Sequence, residues 1–138
     1  MRLNFRAMES YGNGTAEIKA ATANRVELIQ MLFDGLLDNL MAAKGHIEHK
    51  NIAEKGRCLQ RASRILVALK GALDFEKGGE LALNLNELYA YVLRRVIIVN
   101  AQNDLEALAE VHSLMSEIRD AWRELPSLIP ASLIHTHH

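Results

Sequence analysis

The chain has little of what builds sheets, crosslinks or charged docking faces. Aromatic residues are 5% of its 138 positions, and there are only two prolines. That scarcity, set against 49% apolar residues dominated by Leu and Ala, disfavours a sheet core and favours aliphatic helix packing. One cysteine, Cys58, excludes an internal disulfide and fits a reducing compartment, with the thiol in a packing role. Sixteen basic residues against seventeen acidic ones leave a net charge of −1, so no surplus points to nucleic acid or to an anionic membrane. No apolar run approaches the roughly 20 residues that span a bilayer, and Asn4, Arg6, Glu9 and Lys19 interrupt the start of the chain where a signal peptide would need a continuous apolar stretch. The expectation is a cytoplasmic protein without membrane insertion.

What the chain does have is helical periodicity. Val26, Ile29, Leu32, Phe33, Leu36, Leu37, Leu40 and Met41 recur at steps of three and four, predicting a first long helix over 24–48. Leu59, Ala62, Ile65, Leu66, Leu69 and Leu73 mark a second helix that stops before Lys77-Gly78-Gly79, with the glycine pair as the turn. A third runs over about 80–100. The fourth, 104–125, buries Leu105, Leu108, Val111, Met115, Ile118 and Trp122 and ends at Pro126. Three helix starts share an Asn-x-x-Glu spacing (Asn24 with Glu27, Asn51 with Glu54, Asn103 with Glu106), which predicts an Asn cap at each. The connections are too short for anything except antiparallel neighbours.

The reading is one all-α domain over 1–138, an antiparallel four-helix bundle. Residues 1–23 form an N-terminal arm or short cap helix, 24–125 the bundle, and 126–138 a loosely ordered tail.

The third helix has more apolar residues than a bundle helix needs. From Leu81 to Val99 only Asn84, Asn86, Glu87, Arg94 and Arg95 are polar, so apolar side chains must leave the helix in more than one direction. A central helix covered on all sides is one explanation. The other is a groove for a partner segment, with Leu88, Tyr89, Tyr91, Val92, Val96, Ile97 and Asn100 as candidate contacts and Phe5, Met8 and Tyr11 of the arm covering the groove in the partner's absence.

Familiar catalytic patterns are missing. Gly12-x-Gly14 lacks the third glycine of a dinucleotide loop, and there is no phosphate-loop Gly-Lys-Ser/Thr. His46 and His49 suit the C-terminal end of a helix dipole better than a metal, and no cofactor or metal is expected. His112 raises an alternative, a histidine phosphotransfer bundle, although Ser113, Leu114 and Met115 beside it are unlike the basic, glycine-containing surroundings of such a histidine.

Three stretches resemble the flagellar export chaperone family FliS: Leu28-Ile29-Gln30-Met31-Leu32-Phe33-Asp34-Gly35, Leu88-Tyr89-Ala90-Tyr91, and Glu117-Ile118-Arg119-Asp120-Ala121-Trp122. The segment Asp74-Phe75-Glu76-Lys77-Gly78-Gly79-Glu80 is similar to the family's turn, while Phe33 stands where a Tyr is usual and Val99-Asn100 where Ala-Asn is common. The resemblance implies a non-catalytic chaperone that binds the C-terminal segment of flagellin, prevents premature polymerisation and supports export, with export apparatus components as further partners. It also implies that an arm tyrosine, matched here by Tyr11, occupies part of the client surface. A chaperone for another type III secretion client is the remaining alternative.

Overall fold

The computed structural model describes residues 21–128. The arm residues Phe5, Met8 and Tyr11 and the tail from 129 onward lie outside the described residues. Four helices follow one another: α1 (Ala21–Glu48), α2 (Ile52–Gly71), α3 (Phe75–Gln102) and α4 (Leu105–Leu128). With 20 to 28 residues each they are rods of roughly 30 to 42 Å at ~1.5 Å per residue. Each packs against its chain neighbours, and α4 returns to lie beside α1, closing a ring of four.

Polar contacts give the directions. Lys55 at the start of α2 reaches Asn100 at the end of α3. Asp34 of α1 meets Arg119 of α4, and Lys44 acts on His112, so rising numbers on α1 pair with falling numbers on α4. The bundle is therefore an antiparallel up-down-up-down arrangement, as the short connections predict.

The stripes read from the sequence form the core. Ile29, Leu32, Phe33, Leu36, Leu37, Leu40 and Ala43 come from α1, and Cys58, Leu59, Ala62, Leu66 and Leu69 from α2. Ala82, Leu85, Tyr89, Val92, Val96 and Val99 come from α3, and Ala107, Leu108, Val111, Met115 and Trp122 from α4. At one level Phe33 lies against Trp122 with ring centroids 6.2 Å apart. The Tyr89 phenol beside them is pushed well above its usual pKa by burial, which outweighs the opposing hydrogen bond with Trp122. Phe33 has no exposed surface, so a hydroxyl there would have had to find a buried partner. Between α1 and α2 the approach is close: a methyl group on Gly35 would stand 3.4 Å from the Ile65 Cδ1. Beside it Asn39 donates to the Gly35 carbonyl at 2.8 Å and accepts from Arg61 at 3.0 Å.

The helix ends depart from the expectation in detail. Helix α1 begins at Ala21, so Asn24 lies inside it and caps nothing. Asn51 does occupy the cap position of α2, but its side chain makes no capping bond; its Nδ2 instead lies 3.4 Å from His46 Nδ1. Asn103 ends α3 rather than starting α4, in the left-handed conformation (φ 53°) that asparagine tolerates. The cap of α4 is Asp104, whose Oδ1 accepts from the Ala107 amide at 3.0 Å. An Asn-Asp pair between helices offers two candidates for one role, and the left-handed residue must come first.

Helix α2 stops at Gly71, ahead of the expected glycine pair. Asp74 then caps a single turn through the Lys77 amide at 3.0 Å, and Gly79 kinks the chain (φ 55°, ψ −133°) before the long part of α3. Glycine is suited to that backbone position, where a Cβ would be strained. At the other end α4 continues through Pro126 to Leu128, since proline in a last turn removes only one amide bond. Met41 and Leu105, both expected on buried stripes, are exposed.

Candidate partner-binding surface

The core positions of α3 give its two flanks. Residues one place before a core position, such as Tyr91 and Arg95, point towards α4: the Tyr91 hydroxyl donates to Glu110 Oε2 and Arg95 Nε donates to Glu110 Oε1 at 3.0 Å. That bond to Glu110 is the main reason the Tyr91 phenol titrates above its usual range. Residues one place after a core position must point the opposite way, towards α2, because a helix turns 100° per residue. They are Leu83, Asn86, Ala90, Leu93, Ile97 and Asn100.

The same construction works on α2. Arg61, one before Ala62, bonds across to Asn39 of α1. The residues one after buried positions, Gly56, Gln60, Ser63, Val67 and Lys70, therefore border α3. The outer seam between α2 and α3 thus carries an apolar row from α3 at heptad spacing, Leu83, Ala90 and Ile97, faced by Val67 and two small residues from α2. Leu83 is 54% exposed, Ile97 65% and Val67 48%. Because Lys55 stands level with Asn100 and the two helices are antiparallel, Val67 falls near the level of Ala90, between the two exposed α3 side chains. Gly56 and Ser63 contribute little bulk beside them, and a methyl group built on Gly56 would meet no atom within 4 Å. Gln60 and Lys70 add polar groups along the α2 edge. The result is an exposed, largely apolar strip along two antiparallel rods, of the chemistry that an added amphipathic segment would cover.

The family model described as Flagellar protein FliS matches residues 7–128. The chain belongs to the FliS family. It is 40% identical over 119 residues to the flagellar secretion chaperone FliS of Salmonella typhimurium, covering 86% of this chain and 88% of that protein. It is 40% identical over 118 residues to FliSB of Pseudomonas aeruginosa (86% and 94% covered) and 38% identical over 130 residues to FliS of Escherichia coli K12 (94% of each). Membership makes this chain a flagellar secretion chaperone.

In this chain the candidate contacts separate into three groups. Tyr89, Val92 and Val96 are buried between the helices and contribute to the core. Leu88 and Tyr91 lie half-buried on the α4 side of α3. Ile97 and Asn100 stand on the α2 side, exposed, at the seam. Leu83 and Val67 lie outside the contacts expected from the sequence, as do the small residues Gly56 and Ser63 that leave room beside them. The signal is present in part: Leu83, Ala90 and Ile97 recur every seventh position, a second apolar register displaced by one residue from the core register. For α2 there is no such signal, because Gly56, Ser63 and Lys70 share no chemistry and acquire a common role only when α3 is placed beside them.

Other candidate features have plain surroundings. His112 sits on the α1 side of α4, where desolvation, Arg119 and Lys44 together hold its pKa below the usual histidine value. His49 bonds the Gly45 carbonyl through Nδ1 at 2.8 Å. Among the described residues no group of three or more His, Cys, Asp or Glu side chains is placed to hold a metal ion, and no helix is long and apolar enough to cross a membrane.

Proposed function

We propose that this chain binds the C-terminal segment of flagellin in the cytoplasm, laying it along the α2/α3 seam, and so prevents premature polymerisation and supports export without catalysing a reaction. One observation supports this placement: of the large apolar side chains exposed among the described residues, Val67, Leu83 and Ile97 gather on this one seam, and Ile97 is the most exposed of all at 65%. An apolar segment released from its polymer would associate with its own copies, and covering it requires a surface of matching chemistry. A rigid platform suits the task because only the client then loses conformational freedom, at about 2 to 5 kcal/mol for ordering the segment. The polar side chains of Asn86 and Asn100 on the same flank supply partners for a client backbone that cannot be left unsatisfied. Components of the export apparatus would then meet other faces of the loaded bundle.

Titration calorimetry of the chaperone with a synthetic C-terminal flagellin segment tests this. One-to-one binding that is lost in Val67→Glu and Ile97→Glu variants of unchanged helicity is expected. Full affinity in both variants would rule out the seam.

A further inference from the structure

The α2/α3 seam ends at a buried cation. Lys55 is 5% exposed, and its ammonium crosses from the first turn of α2 to the last turn of α3, donating to the Asn100 carbonyl at 2.9 Å and to Asn103 Oδ1 at 2.6 Å. Both acceptors are neutral. No carboxylate lies within ion-pairing distance of Lys55 among the described residues; Glu54, its chain neighbour, is taken up by Arg57 at 2.7 Å. An ammonium has three donors, so one hydrogen remains after these two bonds. A charge withdrawn from water without a counter-charge is unfavourable, and Lys55 meets two amide oxygens where a structural ion pair would place an acid.

The neighbourhood is built to accept an anion. Gly56 next to Lys55 leaves open space on the seam side. The Asn51 side chain does not cap α2, so the first amides of that helix keep their donors and its positive dipole end at this head of the seam. The opposing negative end of α3 is partly covered, because its Asn100 carbonyl already receives Lys55.

We infer that Lys55 is the anchor for the terminal carboxylate of the client chain, so that the last stretch of the client runs along the seam parallel to α3 and ends at the Lys55–Asn103 pair. This rests on the seam as the client surface, and it adds a direction and an end point. The carboxylate accepts the remaining ammonium hydrogen, adding a charged partner to the two neutral ones.

The test compares two synthetic peptides of the client's C-terminal segment, one with a free terminal carboxylate and one amidated, binding to the full-length chaperone by calorimetry. Wild type is expected to bind the free acid at least tenfold more tightly than the amide. Lys55→Met is expected to bind both alike, at the level of the amide. Lys55→Arg keeps the charge and should retain the preference, which guards against a Lys55→Met chain that fails to fold. Asn103→Gly, which permits the left-handed turn while removing the carboxamide, should also retain it. Equal binding of the two peptides by wild type, or a preference that survives in Lys55→Met, overturns the anchor while leaving the seam in place. Binding of neither peptide overturns the seam and the anchor together.

Discussion

Neighbouring residues on α3 should respond in opposite ways to truncation. Ile97 is 65% exposed, whereas Val96 beside it is 2% exposed. Full burial of an Ile side chain contributes about 1.5 to 3 kcal/mol, so the roughly one third already covered in Ile97 supports folding by about 0.5 to 1 kcal/mol. Alanine returns a few tenths of a kcal/mol through better helix propensity. The Ile97→Ala change should therefore leave stability within about 0.5 kcal/mol of wild type. Binding is different, because a client lying on the seam covers the remaining two thirds, and losing that contact costs about 1 to 2 kcal/mol, on the order of 5- to 30-fold in Kd. Val96→Ala removes two buried carbons and leaves a cavity, destabilising by about 2 kcal/mol. Urea denaturation followed by far-UV circular dichroism, with calorimetry against the client segment in parallel, separates the two quantities. Unchanged affinity in Ile97→Ala would refute the seam reasoning, as would a loss of affinity that merely tracks a loss of stability.

Two further outcomes follow from the core. Phe33→Ala, at a fully buried ring against Trp122, should destabilise by about 3 to 5 kcal/mol in denaturant unfolding and alter the Trp122 fluorescence; a loss below about 1 kcal/mol would mean that the two rings do not pack as described. For Tyr89, burial raises the phenol pKa in the folded state, so the unfolded chain releases this proton first as pH rises. The stability it contributes is intact below the ordinary tyrosine value near 10 and declines above it, and a Tyr89→Phe chain should show a shallower decline between pH 9 and about 11, measured by urea midpoint.

Cap chemistry shows where a one-dimensional reading loses resolution. Asn51 and Asn103 both stand at helix breaks, as their spacing to Glu54 and Glu106 suggests, yet neither side chain caps the helix that follows. Spacing identifies where a chain must change direction. Which of two adjacent polar residues accepts the amide depends on backbone angles at the break, and Asn103 takes the left-handed turn that leaves Asp104 free to cap. At Asn24 the helix simply extends past the candidate, with nothing in the local sequence to forbid it.

Periodicity alone determined that four rods would form, which stripe of each would turn inward, and that the third carried apolar residues beyond what one stripe can bury. Those are properties of single helices, set by 100° of rotation per residue and the cost of leaving apolar surface in water. Whether Ile97 or Val96 met solvent, that Val67 and Leu83 joined it across a seam, and that Lys55 closed one end of that seam were decided only when the helices came together. Each depends on which neighbour lies one residue to either side of the core register, and that relation exists between helices, across stretches of chain that no local pattern connects.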